Sequence, residues 1–258
     1  MHAPHSLPRD LIALAVQGIE REGRLLPAPR TNRKSDRKRR PPRLEDQLRR
    51  RGSFLVLGVD EAGRGPLAGP VVAAAVELPV DITIAGLDDS KALTPEKRRH
   101  LFPRILDEAA RFGIGLVTSA GIDRWNIREA TKQAMLRAVE EASRGDRPDW
   151  VLVDGLRWEA FPHRQIAVVK GDRHVPSIAA ASILAKEVRD RLMLAYDRIY
   201  PMYSFSQNKG YPTNEHADAV FVYGYSAVHR RTFHTSSGGD LWTGQRLEEG
   251  EKNAPLDI

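Results

Sequence analysis

Three apolar runs in this chain lead into acids: Val59 into Asp60-Glu61, Val153 into Asp154, and Val169 through Lys170-Gly171 into Asp172. If those runs are neighbouring strands, their ends bring four carboxylates to one edge of a sheet, where α/β proteins tend to bind ligands. Carboxylates within a few ångströms of one another repel and are driven toward protonation unless a cation neutralises them. Mg2+ or Mn2+ suits that task, because these hard ions prefer carboxylate and water oxygens. The bland alternative is that each acid closes its strand as an ordinary turn residue. Adjacent residues of a regular strand face opposite ways, so Asp60 and Glu61 share a site only if the strand ends or bulges at Glu61. Ala62-Gly63, directly after, fits such an ending.

The elements that must position these acids follow from apolar pattern and punctuation. Phe54 to Val59 and Pro70 to Leu78 read as two strands separated by a Gly/Pro turn, and Ile114 to Thr118 as a third. Thr94-Pro95 supplies a cap and a first-turn proline for a helix running toward Phe112, with a kink or break near Pro103. Ile127 to Ser143 shows a helical apolar face ended by Gly145, and the Ala-rich segment from Pro176 to about Tyr196 is a long helix. Trp150 to Val153 and Gln165 to Val169 are short buried strands. Strands that come first as a meander and then alternate with helices imply a mixed α/β sheet with helices against its faces.

Composition narrows the class. No apolar run reaches the ~20 residues of a membrane span, and no basic region precedes Leu11 to Val16 as in a signal peptide, so a cytoplasmic protein is expected. Without cysteine the chain has no disulfide, thiolate nucleophile or sulfur-ligated zinc. The net charge of +6 is local: residues 21–51 hold thirteen Lys and Arg against four acids, whereas residues from 52 onward hold twenty-six against twenty-eight. Residues 9–22 fit a short amphipathic helix and 23–51 a linker, with the body starting at Phe54. Arg33-Lys34 and Arg37 to Arg40 have too little apolar surface to order themselves, and read either as an arm attracted to phosphates or as a solvated tail.

The motif wording is more specific than the spacing. Gly58 to Val71 (GVDEAGRGPLAGPV) closely resembles the signature of ribonuclease HII, the type 2 ribonuclease H. Further blocks follow in that family's order: Asp89 to Leu93, Val153-Asp154-Gly155, Lys170-Gly171-Asp172, Ser177 to Lys186, Lys209 to Thr213, and His229 to Phe233. The resemblance spans about 54–236 and divides the chain into a basic, flexible extension (1–51), a catalytic domain (52–236) and a polar, disordered tail (237–258).

That resemblance implies a ribonuclease H-like fold, a mixed five-stranded sheet flanked by helices with a small helical C-terminal portion. It implies that Asp60, Glu61, Asp154 and Asp172 are catalytic and bind Mg2+ or Mn2+, two ions about 3.5–4 Å apart serving in-line attack of water on phosphorus. The substrates implied are the RNA strand of RNA–DNA hybrids and duplex DNA with single embedded ribonucleotides, incised on the 5′ side to leave 3′-hydroxyl and 5′-phosphate ends. Ribonucleotide and primer removal is the corresponding role, and a monomer suffices for it. By the same analogy Gly63-Arg64-Gly65 senses the ribose 2′-OH and Tyr211 packs on the sugar at the junction; taken alone, these are a tight turn and a surface aromatic. Ser90, Lys91, Asn126, Lys170 and Lys186 are candidates for phosphate contacts, or are caps and solvated surface. Arg230-Arg231 reads either as a further pair along the nucleic acid or as an ordinary exposed basic pair, and is kept outside the site. The competing readings are another metal nuclease of the same fold and a non-catalytic nucleic-acid-binding protein.

Overall fold

The computed structural model describes residues 43–80, 82–87 and 93–233; the helix expected at 9–22, the basic run at 33–40, Ser90, Lys91 and the tail from 237 lie outside them. Strands β1 (Val56–Ala62), β2 (Val71–Glu77) and β3 (Arg111–Val117) form an antiparallel meander. On the other side of β1, strands β4 (Trp150–Asp154) and β5 (Gln165–Val168) pair in parallel, giving the order β3-β2-β1-β4-β5. The described helices are α1 (Leu44–Arg50), α2 (Pro95–Glu108), α3 (Ser119–Trp125), α4 (Ile127–Ser143), α5 (Gly171–His174), α6 (Pro176–Ile199), α7 (Phe205–Asn208) and α8 (Asn214–Tyr223).

β2 is apolar from Val71 to Val76 because both its faces are covered there. Val72, Ala74 and Val76 pack with Ala180, Ile183, Leu184 and Val188 of α6 and with Phe102 and Ile105 of α2. Val71, Ala73 and Ala75, one residue out of phase, pack with Ala134, Met135 and Val139 of α4. Each buried Val, Leu or Ile stabilises this sandwich by ~1.5–3 kcal/mol. The small side chains of α6 allow close approach: a Cβ on Gly58 of β1 would stand 2.4 Å from the Ser177 backbone. α6 thereby lies directly beneath the strand that carries Asp60.

Helix limits follow local chemistry. Thr94 accepts from the Lys97 N–H at 3.3 Å and Pro95 opens α2, as its sequence predicts. α2 passes through Pro103 unbroken; the carbonyl that Pro103 cannot bond belongs to exposed Arg99, which solvent can satisfy. It ends at Glu108 rather than near Phe112, because Arg111 and Phe112 are drawn into β3 opposite Glu77 and Val76.

The body also begins earlier than Phe54. α1, expected as linker, buries Leu48 against Val56, Leu152 and Ile178. Glu45 accepts from the Ser177 N–H at 3.0 Å and its hydroxyl at 2.7 Å, capping α6, whose own preceding residue, Val175, offers no side-chain cap. Arg43 and Arg49 reach the carbonyls of Ile82 and Leu78. The basic composition of this stretch hid a short amphipathic helix with a buried carboxylate. After α6, the Pro201–Tyr203 turn, α7 and α8 form the small helical C-terminal portion, packed around Met193, Tyr203 and Phe205.

Candidate active site

The parallel register sets the acids side by side. Val59 pairs with Val153, so Asp60 and Asp154 follow on neighbouring strands, and Asp154 in turn pairs with Val168 at the end of β5. Two residues past β5, Lys170 adopts a left-handed conformation (φ 54°) that turns the chain into α5, where Gly171 donates its N–H to Asp154 Oδ1 at 2.7 Å. Asp172 is the next residue and is buried.

β1 does not end or bulge at Glu61. It stays in register with β2 through Ala62, pairing Asp60 with Ala74 and Glu61 with Ala73. Asp60 accordingly lies on the α6 face and Glu61 on the α4 face. Because β4 stops at Asp154, Glu61 lies on an open stretch of strand edge, and its charge still acts strongly on Asp60. Asp60 is 5% exposed; burial first, then the negative charge of Glu61, and further down that of Asp154, push its carboxyl well above the usual range, against the Ser182 hydroxyl bond that lowers it. Among the described residues no three acids or histidines are gathered round one position as a ligand set.

Beyond β1 the chain turns through Gly63 (φ 93°), a backbone conformation suited to glycine; a Cβ there would meet Arg189 Nε at 2.1 Å. Arg64 is exposed and pairs with Glu61 at 3.4 Å. Gly65 faces Tyr211, whose ring lies 3.9 Å from where a Cβ would stand, and Tyr211 is 45% exposed. Leu67 and Ala68 donate their N–H groups to the Gly210 carbonyl, tying the two segments together.

The lesser candidates divide. Lys170 is exposed beside the acids. Lys186 pairs with Asp190 at 2.6 Å, and Asn126 accepts from the Glu129 N–H as the cap of α4. Ser90 and Lys91 lie outside the described residues.

Sequence reasoning misplaced Arg230 and missed Arg189. Arg231 is exposed, but Arg230 is fully buried and bonds the carbonyls of Gly63, Arg64 and Gly69. Arg189 of α6, also buried, bonds those of Ala68, Pro70 and Lys209. Burial, with the charge of Arg189 next, pushes Arg230 down to about 9, still protonated at neutral pH. Arg230 was visible only as part of the motif from His229 to Phe233; an arginine in a sequence gives no sign of being interior.

An open mixed sheet in this order, helices on both faces and carboxylates at the adjoining ends of β1 and β4 define the ribonuclease H-like fold class. The chain superposes on the crystal structure of ribonuclease H2 from Pyrococcus horikoshii with a TM-score of 0.59 and 28% identity, covering 70% of this chain and 94% of that one. It is 52% identical over 192 residues to the ribonuclease HII of Geobacillus thermodenitrificans, covering 74% of this chain and 73% of that protein. Identity to the Bacillus subtilis ribonuclease HII is 49% over 189 residues, 73% of each chain. A profile of the ribonuclease HII family matches residues 57–236. The chain therefore belongs to the ribonuclease HII family and is a ribonuclease H.

Proposed function

We propose that this ribonuclease H cuts the RNA strand of RNA–DNA hybrids and incises on the 5′ side of single ribonucleotides embedded in duplex DNA. The observation carrying this reading is that Gly65, five residues along the chain from Asp60, faces Tyr211. A glycine loop that lets a sugar approach, and an aromatic ring to pack on it, then stand beside acids suited to hydrolysis.

The setting of Asp60 suits a hard divalent ion, which would have to draw the neighbouring acids in around it. Asp60 is a buried carboxyl that Glu61 and Asp154 make harder to ionise, a condition a cation reverses. Asp60, Asp154 and Asp172 are the residues that would hold Mg2+ or Mn2+, and Glu61, on the opposite face of β1, would join them by turning its side chain around the open strand edge. Two such ions, when bound, supply Lewis-acid activation of water and neutralisation of charge at the departing 3′ oxygen, leaving 3′-hydroxyl and 5′-phosphate ends. The protein's own groups prepare the acids: Ser182 donates to Asp60, and the Gly171 N–H fixes Asp154 Oδ1, leaving Oδ2 for a ligand. Since water attacks, the ribose 2′-OH serves recognition by Gly63, Arg64, Gly65 and Tyr211.

Lys170 has the free exposure that a phosphate contact needs; Lys186 and Asn126 would first have to leave Asp190 and the α4 cap. Ser90, Lys91 and the basic arm complete the proposed nucleic-acid contacts. Removal of ribonucleotides and RNA primers in the cytoplasm is the role we assign.

The test is incubation with Mg2+ or Mn2+ and a DNA duplex bearing one ribonucleotide. A single cut on its 5′ side, with an all-DNA duplex intact, is expected; cleavage of both would reject the reading. Asp154→Asn should abolish cutting while sparing binding, and a fully active variant would sink the assignment of the acids.

A further inference from the structure

Two guanidiniums are buried close together beneath the loop from Gly63 to Pro70, and every hydrogen bond described for either goes to a backbone carbonyl. Burying like charges side by side is costly, and a carboxylate partner would be the ordinary remedy. The acids acting on them, Asp190 for Arg189 and Asp123 for Arg230, do so through space without a direct bond. What the pair obtains instead is geometry. The forked head of Arg230 gathers Gly63, Arg64 and Gly69, while that of Arg189 gathers Ala68, Pro70 and, from the other segment, Lys209. None of residues 63–70 is paired within the sheet, so these carbonyls have no ladder to satisfy them.

The segment carrying Arg230 is fastened on both sides. Arg230 donates its N–H to the Leu67 carbonyl at 2.8 Å, Gly69 donates to Val228 at 2.8 Å, and His229 touches His216, which bonds the Tyr211 carbonyl at 2.9 Å. Resting on the ribose-recognition reading above, we propose that Arg230, seconded by Arg189, is a positioning residue that fixes the Gly63–Gly65 loop at a set distance from Tyr211 and thereby determines discrimination of ribose from deoxyribose. Neither guanidinium touches substrate; both act through the backbone they hold.

Arg230→Lys tests this, because it keeps the cation but cannot hold three carbonyls in one plane. It is expected to fold, to bind Mn2+ with the affinity of the parent, and to show faster amide exchange at Leu67–Gly69. Its kcat on a duplex with one ribonucleotide should fall about 10²-fold, the cost of displacing a reacting group by ~1 Å. Arg189→Lys should act in the same direction, and serves if Arg230→Lys does not fold. Unchanged amide exchange, or loosened exchange with unchanged kcat, overturns the proposal. So does a loss of Mn2+ affinity that accounts for the fall in kcat. If the parent itself fails to cut the single-ribonucleotide duplex, the ribose reading fails; amide exchange in the two variants then decides the positioning role alone.

Discussion

His216 and His229 meet Nε2 to Nε2 at 2.9 Å, and their outer partners allow one arrangement of protons. The Tyr211 carbonyl can only accept, so His216 Nδ1 carries the hydrogen and its Nε2 is bare. His229 must then donate from Nε2 and accept at Nδ1, where the Ser226 N–H arrives at 3.0 Å. Both rings are neutral, and a second proton on either breaks the chain of bonds.

That arrangement fixes the sign of a pH dependence. Burial pushes His216 below the usual range and His229 down to about 3, with the repulsion that protonating both rings would create, and that from Arg231, adding to the latter. The unfolded chain binds the protons more tightly, so the stability is fully present above the unfolded value of about 6.5 and is lost as pH falls toward 3. Urea unfolding should show His229 costing about 2 kcal/mol by pH ~5. His229→Gln should flatten the slope in that window; an unaltered slope would place the acid sensitivity elsewhere.

The raised carboxyl of Asp60 carries the opposite sign. Its ionised form is disfavoured in the folded protein, so Asp60→Asn should raise the metal-free Tm by a few degrees while abolishing cleavage. Added Mn2+ should raise the Tm of the parent and much less that of the variant, since an ion that binds only the folded state stabilises it. Equal shifts in both proteins would remove Asp60 from the metal site.

Two truncations separate the jobs of the N-terminal region. Deleting 1–42 keeps Glu45 and Leu48 and should leave stability intact; if the arm touches phosphates, it should weaken binding and flatten its salt dependence. Deleting 1–51 removes the cap on α6 and the buried Leu48 as well. Glu45→Ala alone should cost about 0.5–2 kcal/mol, measured by denaturant unfolding.

The sheet, the long helix and the acid that ends β4 were legible because apolar period and helix signals are local. α4 spans Ile127–Ser143 as its sequence predicts, and β4 and β5 lie within a residue of their expected ends. The errors have a common cause in contacts made far along the chain. Glu45 looked like linker because Ser177 lies 132 residues away, and Arg230 looked like surface because Gly63 lies 167 residues away. Glu61 was misjudged differently: Ala-Gly after it suggested a strand end, but pairing with β2 carried the strand through Ala62.

α6 supports Ser182 under Asp60 and Arg189 under the Gly63 loop on one unbroken helix, seven residues and about two turns apart, a rise of ~10 Å. Its stiffness makes it a ruler between the point of cutting and the point of reading. Lengthening the connections around it would be absorbed at the surface, whereas adding one residue between Ser182 and Arg189 would swing one of them by about 100° around the axis. Natural variation in chain length should therefore spare this interval, and an insertion there would uncouple cleavage from inspection even if the protein still folded.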